Sequence, residues 1–206
     1  MSSIILYGFG DNDRSGKVRW TARELGLAID ERPVGFGEHR QPPYKAMNPY
    51  AHIPTVEFRG KTYVESTAIC HVLAEAFDEP KLWVGRGEPE REAYLHWLAV
   101  FGETFEARLV ESAVSKLGLL GPEYFALHEK GLRYKLGVAA ERLPESGYLC
   151  GERFTLADVL AGYSLRLALG IGLLDHPPAH QRARSYVDRL RERPAAQESR
   201  FFASLG

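Results

Sequence analysis

Four residues in the stretch NPYAHIPTVEFRGKTYVESTAI could do chemistry together: Ile53, Pro54, Glu65 and Ser66. A proline cannot donate to a sheet ladder, so Pro54 must open a strand, lie at an edge or sit in a tight turn. X-Pro is also the peptide bond in which the cis form is most readily reached. A cis Ile53–Pro54 bond would bend the chain and leave the Ile53 N–H and C=O pointing outward, a docking strip for an extended peptide. Ser66 stands where a strand feeds a helix and is a good N-cap, and the first-turn amides behind it attract a carboxylate. Glu65 beside it can hold an ammonium. One small peptide with a zwitterionic end satisfies both groups.

The elements that must position these residues read from hydrophobic periodicity. Ser3–Tyr7 is a short apolar run and a predicted strand. After the turn-rich GFGDNDRSG, Val18, Ala22 and Leu25 fall at helical spacing, and Gly26 supplies a C-cap. Ala28–Val34 alternates as a half-buried strand does. A polar loop with one short helical piece follows. TVEF and TYV then pair across Arg59-Gly60-Lys61 as a hairpin. STAICHVLAEAF predicts a helix with Ile69, Val72, Leu73 and Ala76 on one face. The order is βαβαββα over residues 1–77, with a Pro/Gly connector over 78–89. Residues 90–206 read as helix almost throughout. A long amphipathic helix covers 90–117, carrying Tyr94, Leu98, Phe101, Phe105 and Leu109, and further helices cover 122–143, 155–169 and 179–193.

Composition excludes several classes. The 26 Lys+Arg and 27 Asp+Glu nearly cancel, so no broad field favours nucleic acid or an anionic membrane. No run approaches the roughly 18 apolar residues of a spanning helix, and the start MSSIILYGFGDND has no signal-peptide pattern, which points to the cytosol. The two cysteines, Cys70 and Cys150, form no CxxC and fit no zinc spacing with the seven histidines. They read as buried packing residues, and no metal is expected. Gly8-Phe9-Gly10 lacks the third glycine of a dinucleotide fingerprint.

The βαβαββα order, Ile53-Pro54-Thr55 and Glu65-Ser66-Thr67-Ala68-Ile69 resemble the thioredoxin-like domain of the glutathione S-transferases. The resemblance implies a cis Pro54, pairing of Ile53 with the cysteinyl backbone of glutathione, and capture of the γ-glutamyl end by Glu65 and Ser66. Phe154-Thr155-Leu156-Ala157-Asp158-Val159 is similar to the capping box and hydrophobic staple of the family's all-α C-terminal domain. The expected molecule is a cytosolic homodimer that binds glutathione, favours its thiolate and conjugates it to a hydrophobic electrophile. Two alternatives on the same fold stay open: a glutathione-dependent disulfide reductase or peroxidase, and a non-catalytic binding protein.

Glutathione chemistry needs the thiolate, so a donor to sulfur is required. Enzymes of this family place a Tyr, Ser or Cys after the first strand. Here the tyrosine position falls on Gly8 and the serine position near Asn12. Asn12 ranks first as the donor, Ser15 second and Tyr7 third. Asn12 and Asp13 also suit a turn, and Ser15 an N-cap. His52, Lys45, Arg40 and His39 are candidates for the rest of glutathione, its glycyl carboxylate included. Phe9, with Phe101, Phe105, Arg108 and Ser112 on the long helix, is a candidate lining for the electrophile. Tyr50 sits where some transferases carry an aromatic key that plugs the partner subunit.

Overall fold

The structure is a computed structural model and describes residues 3–10, 13–77 and 79–203. The chain forms two compact units, divided after Trp83. The first contains strands β1 (Ser3–Gly8), β2 (Ala28–Pro33), β3 (Thr55–Phe58) and β4 (Lys61–Val64), and helices α1 (Ser15–Glu24), α2 (Tyr44–Met47) and α3 (Ser66–Glu75). The sheet order is β2-β1-β3-β4, with β1 parallel to β2 and antiparallel to β3. Ile4, Leu6, Val56 and Phe58 alternate along their strands and are buried, as a half-covered sheet demands. Between β3 and β4, Arg59 and Gly60 both have positive φ (49° and 72°), the two-residue turn whose twist suits a hairpin. Lys61 therefore opens β4 and is not part of the turn. The buried face of α3 is Ser66, Ile69, Cys70, Leu73 and Ala74. Cys70 and Ala74 take the places expected for Val72 and Ala76, because the buried stripe runs 66, 69, 70, 73 at helical spacing and Ala76 is already the C-cap.

The second unit is helical: α4 (Arg91–Ala99), α5 (Glu106–Lys116), α6 (Pro122–Glu141), α7 (Leu156–Gly170) and α8 (Pro177–Arg191). The single helix expected over 90–117 is interrupted by a π turn, Val100–Phe105. The wide turn keeps both Phe101 and Phe105 in the interior, at 0% and 2% exposure. The Ser164 hydroxyl donates to the Phe101 carbonyl at 3.2 Å. Trp97 replaces Leu98 in the core and stacks on Phe101 at 5.5 Å.

The start of α7 is closed completely. Both halves of a Thr155/Asp158 capping box are present. The Asp158 carboxylate accepts from Thr155 N at 2.7 Å, Leu149 N at 2.8 Å and the Tyr186 hydroxyl. Phe154, the expected staple, is buried with its ring edge-on to Tyr148.

Cys70 and Cys150 are buried free thiols, and burial pushes the Cys150 thiol up to about 11. No helix among the described residues is long and apolar enough to cross a membrane. No metal-holding cluster of His, Cys, Asp or Glu occurs among them either.

The tail departs from the sequence-based division. Residues 193–203, expected to complete the helical segment, belong to the first unit. After the short α9 (Pro194–Glu198), Phe201 and Phe202 pack on Trp20 of α1 at 4.8 and 5.5 Å. The cause is apolar burial: all three rings are at most 5% exposed.

Candidate functional site

Three segments of the first unit converge at one end of its sheet. Thr55 pairs with Tyr7 on one side and Val64 on the other, which sets Pro54 beside Gly8 and Glu65. The Ile53–Pro54 bond is cis. Ile53 lies outside the ladder, and its backbone groups make no hydrogen bond among the described residues. The bend is held from α2. Tyr44 Oη donates to the His52 carbonyl at 2.7 Å and lies 2.8 Å from Thr55 Oγ1. Asn48 Nδ2 reaches the same carbonyl at 2.8 Å and the same hydroxyl at 3.2 Å. Tyr44 and Asn48 were not recognised in the sequence; the only local signal was an Asn four residues ahead of His52.

The start of α3 corrects one expectation. Glu65, not Ser66, is the N-cap, and it makes no side-chain capping bond. Glu65 has φ 66° and ψ 106°, a conformation costly for any residue with a Cβ. Such strain is retained at sites where geometry serves binding. The turn aims Ser66, the first helical residue and 5% exposed, and the open first-turn amides toward the end of the sheet. An uncapped helix start with a hydroxyl beside it is suited to a carboxylate. The Glu65 side chain is exposed and supplies the opposite charge for an ammonium.

The loop between β1 and α1 is built on Asp13. Its Oδ2 accepts from Phe9 N and Gly10 N at 2.8 and 2.9 Å. Its Oδ1 accepts from Ser15 N at 2.5 Å and from the Ser15 hydroxyl. Ser15 is fully buried, with its proton directed at Asp13. A Cβ on Gly8 would collide with Ser15 Oγ, so the position onto which the expected tyrosine falls admits no side chain in this packing. Tyr7 Oη donates to Glu57 Oε1 at 2.8 Å, and that bond raises its pKa above the usual phenol value. Neither Ser15 nor Tyr7 points a free hydroxyl at the convergence. Asn12 lies outside the described residues.

The remaining candidates divide. His52, Arg40 and Lys45 are exposed. His39 is buried, accepts from Gly37 N at 3.2 Å, and its pKa is lowered by that burial and by Arg40. Phe9 is 39% exposed and forms an aromatic group with His39 (5.1 Å) and Phe36 (5.9 Å), the last overlooked in the sequence. Phe101 and Phe105 are interior residues of the second unit, fixed by the Trp97 stack; Phe105 also borders a hollow beside Trp97 and Val100. The Ser112 hydroxyl donates to the Arg108 carbonyl at 2.7 Å, while the half-exposed Arg108 side chain lies near Glu111 and His128. Tyr50 is 65% exposed.

The fold defines a thioredoxin-like domain. The profile for "Glutathione S-transferase, N-terminal domain" matches residues 6–81. A glutathione S-transferase of Silene vulgaris is 32% identical over 182 residues, covering 78% of this chain and 82% of that protein. Maleylacetoacetate isomerase of Pseudomonas aeruginosa is 29% identical and covers 94% of each chain. The crystal structure of a theta class glutathione S-transferase from Xanthomonas axonopodis pv. citri, with glutathione bound, superposes with a TM-score of 0.79 at 26% identity, covering 97% of both. The chain belongs to the glutathione S-transferase family.

Proposed function

We propose that the protein binds glutathione at the convergence of Ile53–Pro54 with the start of α3, favours its thiolate and transfers it to a hydrophobic electrophile. One observation carries the reading: an unpaired strip of main chain beside a strained, uncapped helix start. Ile53 pairs with the cysteinyl backbone, and Ser66 with the first-turn amides holds the γ-glutamyl carboxylate. Glu65 holds the γ-glutamyl ammonium. His52, Arg40 and Lys45 surround the glycyl end, where the planar Arg40 guanidinium can meet the carboxylate with two N–H donors. His39, whose pKa is lowered, contributes as a neutral ring.

The sulfur donor is Asn12. Ser15 and Tyr7 have their protons engaged by Asp13 and Glu57, which supports this choice over the other two. Of the residues expected to line the electrophile site, Phe9 in the first unit is 39% exposed and the Arg108 side chain in the second is half-exposed. The protein acts as a cytosolic homodimer in which Tyr50 inserts into the other copy. An apolar hollow of about 330 Å³ lined by Trp97, Val100, Phe105, Tyr134 and Val138 is large enough for the ring.

Calorimetry with glutathione tests the site. Binding at or below millimolar concentration is expected, and no heat would remove the reading. Asn12→Ala should raise the pKa of the bound thiol and lower kcat; an unchanged thiol pKa assigns the donor elsewhere. Parallel assays with chlorodinitrobenzene, hydroxyethyl disulfide, a peroxide and maleylacetoacetate separate transfer from reduction and isomerisation.

A further inference from the structure

Helix α1 is buried without a break from Ser15 to Ala22, although that run includes Lys17 and Arg19. A helix covered all round is normally apolar all round. Here the cover is polar in part, although the buried Thr21 Oγ1 has no hydrogen-bond partner among the described residues. The Arg19 guanidinium meets Glu31 at 2.8 Å on the β2 side. On the Trp20 side the cover is the C-terminal tail. Trp20 Nε1 donates to Glu24 Oε1 at 2.9 Å, and the Glu24 carboxylate takes Arg193 through Nε and Nη2, each at 2.7 Å. The Glu24 side chain is 8% exposed and that of Arg193 25%, so this fork-to-fork pair is only partly screened by solvent and salt. The tail is shaped to reach back: Ser199 Oγ donates to the Ala196 carbonyl at 2.8 Å, and Arg200 turns the chain with φ 55°. Phe201 and Phe202 then lie edge to face, 4.8 Å apart, against the indole.

The opposite end of α1 carries the Asp13 cage and the loop that holds the sulfur donor. A ten-residue helix moves as a rigid rod, so whatever fixes its last turn also fixes its first. We propose that the segment Arg193–Phe202 is a strap that sets the position of α1, making Trp20, Glu24, Arg193 and Phe201 positioning residues for the glutathione thiol. This rests on the function proposed above. None of the four touches the peptide; they act through the helix.

The test uses the full-length protein and the variants Glu24→Gln, Arg193→Gln and the reversed pair Glu24→Arg with Arg193→Glu. Hydrogen exchange over residues 13–20 without ligand reads the strap directly. The KM for glutathione and the acid limb of the kcat profile at saturating glutathione read its consequence. Each single change should speed exchange, raise the KM about tenfold and move the limb to higher pH, and the reversed pair should recover most of both. Faster exchange with an unmoved KM and pH limb reduces the seam to fold stability and overturns the proposal, as does unchanged exchange. Where a charge variant fails to fold, Phe201→Leu removes the ring stack with the carboxylate pair intact and must give the same readings. Wild-type calorimetry separates the two levels. Without glutathione binding the functional reading falls and the strap's role in catalysis with it, while the exchange data still report on α1.

Discussion

Two helix starts in this molecule meet the same physical problem in opposite ways. The start of α7 is capped from within: the Thr155/Asp158 capping box, joined by Leu149 N and the Tyr186 hydroxyl, forms a buried network. The start of α3 leaves its amides open, caps with a strained Glu65 and places Ser66 beside them. Orphan amides in a first turn must find acceptors somewhere. The difference teaches that a closed start stores stability and an open one stores affinity.

Substitutions can break that contrast. The largest effect is expected for Asp158→Ala, which strands the Leu149 and Thr155 amides and the Tyr186 hydroxyl in the interior. It should lower unfolding free energy by about 3–5 kcal/mol in denaturant titrations, with glutathione affinity unchanged in whatever remains folded. Ser66→Ala should do the reverse: at least about a tenfold loss of glutathione affinity by calorimetry, with little change in the unfolding midpoint. Equal losses of stability from both changes would show that the two starts serve one purpose.

Glu65→Gly sharpens the contrast further. It relieves a positive φ, so it should stabilise the fold by about 1 kcal/mol while weakening glutathione binding. A destabilised Glu65→Gly protein would mean that the side chain, not the backbone, holds this turn. The smallest expected effect is pH-dependent. Burial, with Arg40 and His52 nearby, holds the His39 pKa below its unfolded value. Its contribution is therefore present above the unfolded pKa and lost as pH falls through the folded one. Thermal unfolding followed between about pH 7 and pH 5 should show a fall in Tm that His39→Gln reduces.

The clamp was legible in the sequence because its parts are backbone rules. Only a proline makes cis accessible, and only certain residues open helices, so Ile53–Pro54 and the Thr155–Asp158 box announced themselves locally, while the N-cap of α3 proved to be Glu65, one residue before the expected Ser66. The strands and hairpin followed from period-two alternation. What stayed hidden depends on contacts distant in sequence. The pairing of Arg193 with Glu24 spans most of the chain, so by residue order the tail falls with the second segment. Tyr44 and Asn48 looked like ordinary loop residues until the fold set them under the His52 carbonyl. Ser15 looked available for the thiol because its engagement by Asp13 depends on a loop geometry that residue types do not specify. Phe101 and Phe105 had the spacing of a lining stripe, and tertiary packing turned them inward.

The π turn at Val100–Phe105 has an evolutionary consequence. One extra residue accommodated in a continuous rod rotates everything downstream by about 100° without unwinding it. Losing a single codon within 100–105 would thus re-face α5 as a block, exchanging interior Leu109 and Ser112 for neighbours now at the surface. Insertion and deletion, rather than point substitution, are the economical steps by which descendants of this chain would acquire a differently lined second unit.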